Sequence, residues 1–112
     1  MEFTVTQDNG TAIIQLNVER LNASNASGLK AELALLNKKS INNIVIDMSN
    51  TKYCDSSGLS ALLLANRLCK DTNGMFVLCG LQENVQKLIS IAQLDKVLNL
   101  AADKDAAMAQ IA

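Results

Sequence analysis

Histidine is absent from these 112 residues, and that absence excludes more chemistry than any other feature of the composition. No Ser-His or Cys-His pair can form, and a zinc site loses its commonest nitrogen ligand. Proline is absent too, and no low-complexity tract interrupts the chain, so no long disordered stretch is expected. Neither sign of charge dominates: ten basic residues stand against eleven acidic ones, scattered along the chain, for a net charge of −1. That balance offers no electrostatic footprint for nucleic acid. Long hydrophobic runs are also missing. The longest, Ala61 to Ala65 and Met75 to Cys79, fall far short of the roughly 20 residues that span a bilayer, so no membrane insertion is expected. No basic-then-hydrophobic signal segment follows Met1, and the three cysteines, Cys54, Cys69 and Cys79, include no pair at C-x-x-C spacing. They read as reduced thiols of a cytoplasmic protein, packing as small apolar residues.

What is present is an ordinary globular composition, 49% hydrophobic and 19% charged, at the usual size of one domain. Residues 1–112 are therefore expected to form a single domain. Phe3-Thr4-Val5-Thr6, the turn residues Asp8-Asn9-Gly10-Thr11 and the strand Ala12 to Val18 predict an antiparallel hairpin. Asn22-Ala23-Ser24-Asn25 offers capping side chains before Ala26, Leu29, Leu33 and Leu36, which fall at helical spacing to about Lys39. Asn43 to Met48 is short, β-branched and nearly continuous in apolar character, as a central strand covered on both faces must be. A helix is expected from Leu59 to about Lys70, with Leu59, Leu62, Leu63, Ala65 and Cys69 on its apolar face. A strand over Met75 to Cys79, a helix over Gln82 to Ala92, a weak strand at Val97 to Leu100 and an Ala-rich helix over Asp103 to Ile111 complete the alternation. The fold class is α/β: a mixed sheet, with an N-terminal antiparallel hairpin plus parallel strands, packed against about four helices.

Cys54-Asp55-Ser56-Ser57-Gly58-Leu59 lies between a buried strand and a helix, where unpaired backbone N–H groups favour an anion. One reading is structural: Asp55 and the serines cap the helix and Gly58 allows tight packing. The other is a switch, since a phosphate on Ser56 or Ser57 would be received by those N–H groups while adding roughly 1.5 to 2 negative charges. The two are compatible.

With this motif, the apolar strand Asn43 to Met48 before it and the strand Gly74 to Cys79 with its helix after it, the whole chain resembles a STAS domain. That family is named for sulfate transporters and anti-sigma factor antagonists. Resemblance to the antagonist branch implies that Ser56, directly after the aspartate, is phosphorylated by a partner that is both anti-sigma factor and serine kinase. It implies a bacterial partner switch in transcription regulation: unphosphorylated protein binds that partner and frees the sigma factor, phosphoprotein does not bind, and a 2C-type serine phosphatase resets the cycle. Asn22, Tyr53, Asp55, Ser57 and Gly58 are the expected partner-binding residues, with Asp55 orienting the loop and Gly58 letting a partner approach the backbone. The chain departs from the family at Glu19-Arg20-Leu21-Asn22, where members commonly carry Gly-x-Leu-Asp. The alternative within the fold is a non-switching STAS subunit of a transporter or lipid-trafficking complex.

Other chemistry fits less well. Nucleophilic catalysis at Ser56 lacks an activating base, so no enzyme and no cofactor are expected. A two-component receiver would need an acidic pair after its first strand, and neither hairpin strand is followed by one. Cys54 beside a helix N-terminus could be a redox-active thiol of lowered pKa, against the plainer reading of packing. The expected state is a monomer.

Overall fold

In the computed structural model, which describes residues 2–111, Asn9 and Gly10 take φ of 51° and 80°, the positive pair that a two-residue hairpin turn requires. They join β1 (Phe3–Asp8) to β2 (Thr11–Leu16) in antiparallel register, with Phe3 facing Leu16 and Val5 facing Ile14. Then follow β3 (Arg20–Leu21), α1 (Ala23–Lys38), β4 (Asn43–Asp47), β5 (Tyr53–Cys54), α2 (Ser56–Asp71), β6 (Phe76–Cys79) and α3 (Glu83–Ile91). A single 3-10 turn (Leu94–Lys96), β7 (Asn99–Ala101) and α4 (Lys104–Ile111) close the chain. The main sheet has the order β1-β2-β4-β6-β7, parallel from β2 onward, so β4 is its middle strand, as its unbroken apolar character predicts.

Alternation along the strands sorts the core into two layers. Ile14, Ile44, Ile46, Phe76 and Leu78 join Leu29, Leu33 and Leu36 of α1, Leu62 and Ala65 of α2, and Val85 and Ile89 of α3 in one cluster. Val45, Val77 and Cys79 point to the other face, where Ala107, Met108 and Ile111 of α4 cover them. Parallel register places Ile46 beside Leu78 and Val45 beside Val77, so each layer is continuous across strands.

Several boundaries differ from the expectations above. α2 begins at Ser56, three residues before Leu59, because Asp55 caps it and draws the motif into its first turn. Leu63 is 37% exposed and leaves the apolar face of α2. β2 stops at Leu16; beyond it the Val18 carbonyl accepts a hydrogen bond from Thr51 Oγ1 (2.7 Å). The weak last strand starts later, at Asn99, since Gln93 takes a left-handed φ of 60° and the 3-10 turn occupies the preceding residues. A second, two-stranded parallel sheet of β3 and β5 was not anticipated.

Candidate functional site

The small β3–β5 sheet holds the motif in place. Backbone N–H groups of Lys52 and Tyr53 donate to the Glu19 carbonyl (2.8 and 3.1 Å), and that of Asp55 donates to the Leu21 carbonyl (3.1 Å). Leu21 is fully buried beneath this pairing, which at about 1.5–3 kcal/mol for a buried leucine pins the segment to the core. The stretch where the chain departs from the family pattern, Glu19-Arg20-Leu21-Asn22, is thus the strand against which the motif lies.

Asp55 has extended backbone geometry, and its Oδ1 accepts from the Gly58 N–H (3.0 Å), making it the N-cap of α2. Its carboxylate is therefore directed at the helix. Ser56, the first helical residue, is exposed; Ser57 is half-buried. Gly58 is buried, and a Cβ there would stand 2.6 Å from Cys54 Sγ and 2.7 Å from the Leu21 carbonyl oxygen. Its lack of a side chain accommodates the protein's own β3–β5 sheet, which is the tight packing that the structural reading of the motif expects.

Asn22 forms a reciprocal cap on α1. Its Oδ1 accepts from the Ser24 N–H (3.0 Å), and its own N–H donates to Asn25 Oδ1 (2.9 Å). The buried Asn25 also donates from Nδ2 to the Arg20 carbonyl (2.8 Å), tying α1 to β3. Asn22, Tyr53 and Asp55 line one hollow of about 300 Å³ together with Arg20, Leu21 and Cys54. Tyr53 is 40% exposed, with the Arg20 guanidinium 4.4 Å from its ring centroid. The five expected docking residues and Ser56 therefore cluster at the N-terminal end of α2, but Gly58 sits beneath the surface rather than on it.

Cys54 is not an activated thiol. Burial pushes its pKa up to about 12, and the Asp55 charge adds to the effect, so the thiolate is suppressed and packing is the reading that holds. Cys69 and Cys79 are buried in the two core clusters. Among the described residues no group of three or more His, Cys, Asp or Glu side chains could hold a metal ion, and no helix is long and apolar enough to cross a membrane.

A shallow groove between α1 and α2 starts at the same end. Ser56, Leu59, Ser60, Leu63, Leu64 and Arg67, at helical spacing along α2, line it opposite Lys30 of α1 in a hollow of about 470 Å³. Arg20, Lys30 and Arg67 were not singled out from the sequence. Arg20 lies within the departing stretch and could have been noticed there; Lys30 becomes a neighbour of Ser56 only through the packing of α1 on α2.

Comparison with known proteins agrees with this architecture. The STAS domain profile matches residues 2–107. A Bordetella bronchiseptica protein named as an anti-sigma factor antagonist, BtrV, is 30% identical over 109 residues, covering 97% of this chain and 93% of its own. The crystal structure of a Thermotoga maritima protein named likewise, TM1081, superposes with a TM-score of 0.91 at 23% identity, covering 97% of this chain and 93% of that one. A STAS domain protein of Planctomyces limnophilus superposes with a TM-score of 0.86 at 18% identity, covering 98% and 97%. The chain belongs to the STAS domain family and is anti-sigma factor antagonist-like.

Proposed function

We propose that this protein is the antagonist of a partner switch, with Ser56 as its phosphoacceptor. In the unphosphorylated state it binds an anti-sigma factor that is also a serine kinase, and so releases the sigma factor. Transfer of the γ-phosphoryl group of the kinase's ATP to the Ser56 hydroxyl blocks binding, and a 2C-type serine phosphatase restores the free hydroxyl. The protein acts as a monomeric, cytoplasmic binding module without catalysis or cofactor of its own. Asn22, Tyr53, Asp55 and Ser57 frame the docking surface around the acceptor.

The observation that carries this reading is the contrast between the two serines. Ser56 is exposed at the first position of α2, beyond a cap whose carboxylate is already engaged, whereas Ser57 is half-buried. A kinase can reach the first hydroxyl without disturbing the helix. Once there, the phosphate lies inside the docking surface and must be desolvated against the partner. A penalty of about 4 kcal/mol lowers affinity roughly a thousandfold, enough for a switch.

The test is affinity capture from the native host followed by mass spectrometry of the Asp55-Ser56-Ser57 peptide, repeated with Ser56→Ala and Ser57→Ala. Phosphate should disappear with Ser56→Ala and persist with Ser57→Ala, and an ATPase of serine-kinase type should co-purify. Phosphate surviving in Ser56→Ala moves the acceptor. No phosphate under any condition, with transporter or lipid-trafficking subunits captured, replaces the switch with a structural subunit.

A further inference from the structure

Two cations stand along the groove that begins at Ser56. Lys30, half-buried on α1, lines both hollows that Ser56 lines, one of about 470 Å³ and one of about 360 Å³. Arg67 lines only the larger, about three turns along α2 from Ser56. Neither forms an ion pair among the described residues. The smaller hollow is otherwise walled by Ala23, Ala26 and Ser27 of α1 and by Ser57 and Ser60 of α2, so its polar lining is four hydroxyls and one ammonium. No carboxylate lines it, and the adjacent one, Asp55, accepts from the Gly58 N–H instead.

We propose that Lys30 is the counter-ion of the Ser56 phosphate. On phosphorylation the Ser56 side chain turns into the hollow it shares with Lys30, and the phosphate pairs with the ammonium across the α1–α2 groove. This rests on the reading of Ser56 as the phosphoacceptor and adds what receives the phosphate within the chain. Ser27, Ser57 and Ser60 supply hydroxyl donors around it. The Lys30 stem is already partly packed, so the pair orders fewer free rotamers than one between two exposed side chains. Pairing does two things to the switch. It fixes the dianion over the groove instead of letting it swing into solvent, and it withdraws the Lys30 charge from any acidic group a partner brings there. Lys30 is thus a positioning residue for the modification, acting through the phosphate.

The charged groups that face this phosphate are Lys30 from α1, Asp55 at the cap of α2, Arg67 farther along α2 and Arg20 of β3 in the neighbouring hollow. Asp55 and the two arginines are constant in a comparison that changes Lys30 alone. The experiment installs phosphoserine at position 56 during translation and follows its ³¹P resonance through the second phosphate ionisation, ordinarily near pH 6. The wild-type phosphoprotein should titrate roughly half a pH unit below Lys30→Met, because a nearby ammonium favours the dianion, less strongly in water than in a buried pair. Lys30→Arg should keep the lowered value. Lys38→Met, which removes a charge from the far end of α1, should keep it too. Methionine retains most of the lysine stem, and an amide spectrum of each unphosphorylated variant checks that it folds. Identical titration of wild type and Lys30→Met, or an equal shift from Lys38→Met, overturns the pairing. Because the phosphate is installed without a kinase, a host that never phosphorylates Ser56 defeats the partner-switch reading and leaves this measurement intact.

Discussion

A methyl group added at Gly58 would have to displace Cys54 Sγ, the Leu21 carbonyl and Leu21 Cγ, the last 2.9 Å from the built position. Two of these belong to β3 and one to β5, so the clash falls on the pairing that presents Ser56. The backbone cannot yield without breaking the Asp55 N–H to Leu21 carbonyl bond (3.1 Å). Gly58→Ala should therefore destabilise the protein by about 1–3 kcal/mol, the usual range for overpacking, despite alanine's better helix propensity. Urea titration would register the loss as a lower midpoint; a midpoint at or above wild type would show that β3 and β5 move aside freely. Nothing in the sequence distinguishes this demand from a partner's need for bare backbone. The motif reads the same in both cases, and only the position of Leu21 and Cys54 over the glycine separates them.

The capping of α1 shows how an element can keep its geometry through a change of residue. Where the family pattern has an acid, Asn22 Oδ1 still accepts from the Ser24 N–H, and the Asn22 N–H still donates to Asn25 Oδ1. Asn22→Ala should cost about 1 kcal/mol through loss of the cap. Asn22→Asp should keep the cap and gain about 0.3–1 kcal/mol from the added charge at the helix N-terminus. Thermal midpoints of the two variants should therefore fall on opposite sides of wild type; a loss in Asn22→Asp would mean that nearby negative charge outweighs the helix ends. The caps, the hairpin turn, the central strand and the four helices were legible because each is written locally, as a turn dipeptide, an apolar period or a capping side chain. β3 and β5 were not, since two residues carry no period and their pairing joins positions more than thirty apart. The same holds for Lys30: its half-burial and its place beside Ser56 follow from how α1 lies on α2, not from its neighbours in sequence.

At the scale of the whole molecule, Ser56 stands on a platform with little room to rearrange. The core beneath it is continuous from β2 through β6, and among the described residues no buried side-chain nitrogen or oxygen lacks a hydrogen-bond partner. Ser56 is exposed, and the groups lining its hollows belong to the first two turns of α1 and the first three or so of α2. A phosphate on Ser56 would meet those turns without opening a strand pair or exposing apolar surface. Its effect on a partner should thus come from charge at the docking surface rather than from refolding of the sheet. Amide resonances of the phosphoserine-56 protein should shift in α1, in the first turns of α2 and at β3 and β5, while those of β2, β4, β6 and α4 stay within the scatter of the unmodified protein. Amide hydrogen exchange in β4, the middle strand, should be unchanged, because its opening is tied to global stability. Broad shifts through β4 and β6, or faster exchange there, would mean that phosphorylation acts by a change of conformation. A compact set of shifts around Ser56 would leave the same folded surface in both states, differing by about two charges on a chain whose net charge is −1.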